Sequence, residues 1–132
     1  MTVTARNTEL APSSIAPPAA HYAHAIASDN ATRWVHTAGV VPTAPDGTTP
    51  EGVAAQAEVV WANVAAILAE AGLGPHNIVS VATYVVPDQD MGAVMAARDR
   101  YLDGHRVAST LVVVAALAQP QWLVEASVVA CG

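Results

Sequence analysis

Two segments near the end of the chain, LVVVAAL at 111–117 and WLVEASVVA at 122–130, are apolar enough to require burial on both faces as strands. Only two other stretches repeat with a helical period. At 53–71, Val60, Val64, Ile67, Leu68 and Ala71 share one face and Gly72 supplies the stop. At 91–102, Met91, Val94, Met95, Arg98 and Leu102 or Tyr101 recur at helical spacing, after the N-cap candidates Asp88 and Asp90 and before Asp103-Gly104. Two helices cover one face of a sheet. No further helix is expected, so a second copy of the same protein is the most economical cover for the other face, and any pocket would then lie between subunits.

Further strands are expected at 24–28 (HAIAS), 33–39 (RWVHTAG) and 78–86 (IVSVATYVV), the first two joined as a hairpin through Asp29-Asn30-Ala31-Thr32. The order is ββαβαββ, an α+β fold with one sheet and two helices on one face. A length of 132 residues with 53% apolar content accommodates one domain, here 17–132, preceded by a flexible arm at 1–16 that carries Thr, Ser and Pro without periodicity. The arm lacks the basic start and apolar centre of a signal peptide. The longest apolar run, 111–118, falls short of the roughly 20 residues of a membrane span, so no membrane partner is expected. A single cysteine, Cys131, excludes an internal disulfide and suits a reducing compartment, with the cytoplasm as default.

Charge narrows the chemistry. Eleven acidic residues oppose five arginines, and the chain has no lysine. Nucleic-acid binding, which rests on clustered Lys and Arg, is therefore disfavoured. A lysine Schiff base, and ordinary pyridoxal-phosphate chemistry with it, is excluded. The dinucleotide, P-loop and HExxH motifs are missing, and His21-x-x-His24 shows only two ligands, so neither cofactor nor metal is expected.

The element order, HYAHAI near the start, TAGVVP at 37–42, NVAAILAEAGLGPHNIV at 63–79 and VEA at 124–126 together resemble the reactive intermediate deaminase (Rid) family, also called YjgF. The likeness runs from about residue 17 to 130 almost without gaps, and 63–79 is its most specific part. It implies a chorismate-mutase-like fold, a homotrimer, and sites in the three inter-subunit clefts. Well-known members hydrolyse enamines and imines such as 2-aminoacrylate to 2-keto acids and ammonia.

Residue by residue, the resemblance implies an altered site. The arginine of the family's PARS-type motif, which clamps the substrate carboxylate, falls on Ala108 of VAST. The serine of the TSGQIP motif falls on Ala38, followed by Gly39; the water-positioning glutamate falls on Leu123; the asparagine of the second helix falls on Met95. Tyr22 and the backbone donors at Gly39 and Thr110 correspond to retained positions. These seven residues form the expected substrate-binding set.

Three ionisable side chains are the catalytic candidates. Arg106 shares a face with Ala108 and could swing into the cleft, although a solvated arginine at a strand start is the plainer reading. His36 shares a face with Ala38 and could act as a base near neutral pH; a hydrogen-bonded histidine in the oligomer core is the alternative. Glu125, two residues beyond Leu123, could replace the displaced carboxylate or make an ordinary ion pair. The expected ligand is a small, relatively apolar enamine, imine or related reactive carbonyl compound. A trimer that binds a metabolite or partner without turnover is the alternative, and ribonuclease activity ranks last.

Overall fold

The computed structural model describes residues 3–132. Strands β1 (Arg6–Leu10), β2 (Ala25–Asp29) and β3 (Trp34–His36) precede helix α1 (Val53–Glu70). A short 3-10 turn (Pro75–Asn77), strand β4 (Ile78–Val85), helix α2 (Met91–Leu102) and strands β5 (Ala108–Val113) and β6 (Val124–Cys131) follow. The main sheet has the order β3-β6-β4-β5, in which β5 lies parallel to β4 and the other pairs are antiparallel.

The helices sit on one face of this sheet, as the periodicity requires. Val60, Val64 and Leu68 of α1 and Val94, Ala97 and Leu102 of α2 pack with Val81, Val85, Val124, Ala126 and Val128 of the sheet. Trp61 stacks on Tyr101 with ring centroids 5.5 Å apart, and burial pushes the Tyr101 hydroxyl pKa up. By length and composition α1 could cross a membrane, but its apolar stripe is this core, and Glu58, Asn63 and Glu70 lie along it. Of the two cap candidates, Asp90 serves: its Oδ1 accepts the Ala93 N–H at 3.1 Å. Asp90→Ala should therefore cost about 1 kcal/mol of stability in urea denaturation, and a negligible change would show the cap to be dispensable.

The N-terminal part departs from expectation. Residues 6–10, expected within a loose arm, form β1 and pair with β2 along its whole length, from Arg6 opposite Asp29 to Leu10 opposite Ala25. The side chains of β1 are mostly exposed, so its order comes from the backbone ladder and leaves no apolar alternation to read. Nor do β2 and β3 form a hairpin: β2 pairs with β1, while β3 pairs with β6. Strand β5 begins and ends earlier than the apolar run implied, because β4 offers partners only up to Val113 opposite Val85, with Val114 adding one bond to the Val85 carbonyl.

The second sheet face carries Ser80, Ala82 and Tyr84 of β4, Ala108, Thr110 and Val112 of β5, Glu125, Ser127 and Val129 of β6, and Trp34 and His36 of β3. The β1–β2 ribbon covers one end of it. Ala23 bridges to Ala108, and Cys131 Sγ donates to Asn7 Oδ1 at 3.4 Å, which leaves the cysteine buried. The rest is open: Trp34 is 49% exposed and Val112 40%. The chain itself thus supplies part of the cover that the sequence reading assigned wholly to another copy.

Candidate functional site

Eight of the ten candidate residues fall into two groups toward opposite edges of the main sheet. Beside β6, Val40 bridges to Ala126, and this places Ala38 and Gly39 next to Glu125. Gly39 passes so close that a Cβ there would overlap the Glu125 carboxylate and force that side chain to turn away, so the absent side chain is what lets the carboxylate lie over the loop. Thr37 pins the turn, its hydroxyl donating to the Ala38 carbonyl at 2.7 Å and accepting the Val128 N–H at 2.9 Å. His36 is exposed in the single chain and stacks on Trp34 with ring centroids 6.4 Å apart, on the sheet face that a second copy was expected to cover. The first group is therefore a polar corner with one carboxylate and an exposed loop.

The second group lies at the β5 edge. A cavity of about 350 Å³ is lined there by Ala20, Tyr22, Met95, Arg98, Ser109, Thr110 and Leu111. Tyr22, Met95 and Thr110 were expected together; Arg98 and Ser109 were not. Ala108 lines an adjoining groove of about 250 Å³ over the open face, beneath His24 and beside Ser80, Ala82, Ser127 and Val129. The expectation of Thr110 N–H as a ligand donor meets an obstacle. Alternate residues of a strand address opposite neighbours. Since the Val107 carbonyl accepts from Ala23 on the outer side and Val114 N–H bonds Val85 on the inner, Thr110 N–H turns toward β4 and Leu111 N–H toward the free edge.

Arg106 does not reach this cavity. Its Nη2 donates to the Tyr22 carbonyl at 2.7 Å and lies 3.0 Å from Glu9 Oε1, which occupies its outward edge, while its buried Nε has no partner. It lines a separate cavity under the N-terminal segment, with Glu9, His24 and Ile15. Leu123 is also elsewhere. It packs against the helix-side core, and its N–H is accepted by Gln56 Oε1 at 2.8 Å.

Arg98 is the residue that sequence reasoning missed. Its place in the i, i+3, i+4, i+7 stripe of α2 reads as a position covering the sheet, and the side chain is indeed only 5% exposed. What the stripe hides is that α2 lies over the sheet margin, so that the guanidinium comes round β5: Nη1 donates to Ser109 Oγ at 3.1 Å and Nε to Asp99 Oδ1 at 3.0 Å. Ser109 is on the helix side of β5, opposite in pleat to Ala108.

The two groups cannot meet in one chain. The loop of Gly39 is separated from β5 by the widths of β6 and β4, three strand spacings or about 14 Å. Among the described residues, no three His, Cys, Asp or Glu side chains converge as metal ligands would.

The family model described as endoribonuclease L-PSP matches residues 13–131. The mitochondrial protein MMF1 of Saccharomyces cerevisiae is 32% identical over 117 residues, covering 88% of this chain and 76% of its own length. Among solved structures, YyfB of Yersinia pestis, a protein of unknown function of the conserved Rid family, superposes with a TM-score of 0.84 at 29% identity, covering 96% of this chain and 98% of its own. The YjgF gene product of E. coli aligns at 30% identity and a TM-score of 0.70, over 87% of this chain and 92% of its own.

Proposed function

Because the chain belongs to the Rid family, also called YjgF or endoribonuclease L-PSP, we propose that it works as a homotrimer whose three inter-subunit clefts each take a small enamine, imine or related reactive carbonyl compound with an apolar body and hydrolyse it. One observation carries this reading. From β5, which borders the Tyr22–Met95–Thr110 cavity, the Gly39 loop lies three strand spacings away, about 14 Å, and Glu125 two, about 10 Å, too far for one small ligand to touch both groups in one protomer. A neighbouring copy that sets its Gly39 corner against the β5 edge completes the site, and the same contact covers the open sheet face.

In such a cleft the chemistry is water addition to a C=N carbon. Glu125, the carboxylate at the corner, takes a proton from water as its oxygen attacks; the nitrogen is protonated; the carbinolamine then collapses to a carbonyl compound and ammonia. An enamine first takes a proton at carbon to become the imine. Ala20, Met95 and Leu111 favour an apolar body, and Tyr22 adds a hydroxyl that already accepts the Ala19 N–H at 3.3 Å.

The methyl and thioether groups at Ala38, Ala108 and Met95 favour a second reading, a trimer that binds its ligand without turnover. Ammonia release from a panel of imines, generated in place by an amino-acid oxidase, separates the two. Ribonuclease action is opposed by the charge balance: five arginines stand against eleven acidic residues with no lysine, and Arg98, Arg100 and Arg106 each lie beside a carboxylate, of Asp99, Glu58 and Glu9 respectively, so no cluster of cations forms for a phosphate backbone. The reading also assigns the protein to a reducing interior compartment, the cytoplasm by default, in keeping with one buried free thiol at Cys131.

Light scattering on the purified protein should return the mass of three chains. Val112→Asp, which sets a carboxylate on the open face of every copy, should shift that mass to one chain at micromolar concentration. A monomeric wild type would remove the basis of the shared cleft.

A further inference from the structure

Resting on the reading of the β5-edge cavity as the ligand cleft, we infer that Arg98 is its anion-recognising residue, and that the ligand is an acid: a carboxylate on Arg98 and an apolar body along Met95 and Leu111. Burying an arginine is costly unless its donors are used. Arg98 is 5% exposed, yet its recorded partners are few: Asp99 Oδ1 on Nε and the neutral Ser109 Oγ on Nη1. Among the described residues Nη2 makes no hydrogen bond, and the side chain borders a cavity of about 350 Å³. Asp99 is 40% exposed, so water weakens its hold on the charge. Ser109 fixes the plane of the guanidinium without neutralising it. What remains is an oriented N–H edge bearing positive charge, the geometry that matches a carboxylate.

Arg106 is the competing source of charge and is ruled out by its contacts. Glu9 and the Tyr22 carbonyl occupy its Nη2, and it lines a different cavity. Arg98 is thus the single arginine in the β5-edge cavity. Its approach from the helix side of β5, rather than from the open-face position of Ala108, sets the carboxylate back from the Gly39 corner and selects a ligand longer than a three-carbon acid.

The test uses two probes with the same body, 4-methyl-2-oxopentanoate and the uncharged 4-methylpentan-2-one, titrated calorimetrically into the intact oligomer. The wild type should bind the acid more tightly than the ketone. Arg98→Gln should weaken the acid at least about 30-fold while changing the ketone less than about 2-fold, and Arg98→Lys should recover part of the loss. Arg106→Ala should leave the acid's preference in place. Should Arg98→Gln fail to assemble, Ser109→Asp and Ser109→Asn decide: a carboxylate placed on Arg98 should weaken the acid at least about 30-fold more than the amide does, with the ketone bound alike by both. Equal acid binding in wild type and Arg98→Gln, or in the two Ser109 variants, overturns the assignment. A wild type that binds the ketone but not the acid overturns the role of Arg98 and leaves the cleft standing; one that binds neither overturns both.

Discussion

Gln56→Ala is expected to lower the stability of the fold by about 3 kcal/mol, a large effect for one polar residue on a helix. Gln56 is 2% exposed on the core side of α1, among Val53, Ala57 and Val60. Its amide is fully used there: Nε2 donates to the Pro50 carbonyl at 3.0 Å and to the Gln121 carbonyl at 2.9 Å, and Oε1 accepts the Leu123 N–H at 2.8 Å. One side chain therefore ties the loop before α1 and the β5–β6 connection to the same helix. Alanine leaves three backbone groups without partners, each bond having contributed about 0.5 to 1.5 kcal/mol net, and opens a small cavity. Gln56→Glu separates polarity from bonding. It keeps an acceptor for Leu123 but turns an oxygen toward two carbonyls, so it should cost at least as much as alanine at neutral pH. Urea denaturation of the two variants measures this. A loss under about 1 kcal/mol for Gln56→Ala would mean that water replaces the amide at no cost.

The same residue shows where one-dimensional reading succeeds and stops. The spacing of Val60, Val64 and Leu68 predicts α1 to within a residue of Val53–Glu70, because burial of one face is what holds that helix. Ile67, on the predicted stripe, is 41% exposed and stands outside the packed core. α2 is matched at Met91–Leu102 by the same logic. Neither Gln56 nor Arg98 carries a periodic signal of its own: a polar residue inside a buried stripe reads as a flaw in the pattern, when in each case it marks a site of long-range bonding. Strand β1 is invisible for a different reason. RNTEL buries almost nothing, and its order is set by a backbone ladder that any side chains could accompany.

Candidate sites follow the same division. A resemblance carried over position by position selects residues by alignment, and Tyr22, Met95 and Thr110, chosen in this way, line one cavity; the aligned Leu123 lies elsewhere, and it is Glu125, named for its spacing from Leu123, that meets Gly39. It could not show that an arginine on another element enters that cavity, because substitution at one position and compensation at another are linked only through space. Arg106 had the right face and the right distance along the chain; Glu9, some hundred residues earlier and on a strand without apolar pattern, holds it.

Hydrolysis of 2-aminoacrylate should be at least about 30-fold slower, and up to several thousand-fold slower, than in a relative with arginine at the position of Ala108. The range is the cost of removing one partner from a desolvated charge pair, about 2 to 5 kcal/mol. Ala108 presents a methyl group on the open face, and Met95 and Ala38 add no donor. Arg98 does not rescue so short a substrate. Its guanidinium is held on the helix side of β5 by Ser109, behind the open-face position of Ala108, so in the proposed shared cleft a three-carbon acid anchored there is expected to fall short of the neighbouring copy's Glu125 corner. A longer acid spans that gap. Keto-acid release should therefore rise with chain length from 2-aminoacrylate to the imine of 4-methyl-2-oxopentanoate, the reverse of what a clamp at position 108 would favour. The two imines, generated by an amino-acid oxidase and followed by keto-acid release, provide the comparison. Rates for 2-aminoacrylate equal to those of the arginine-bearing relative would show that the methyl at Ala108 has not removed the clamp's function.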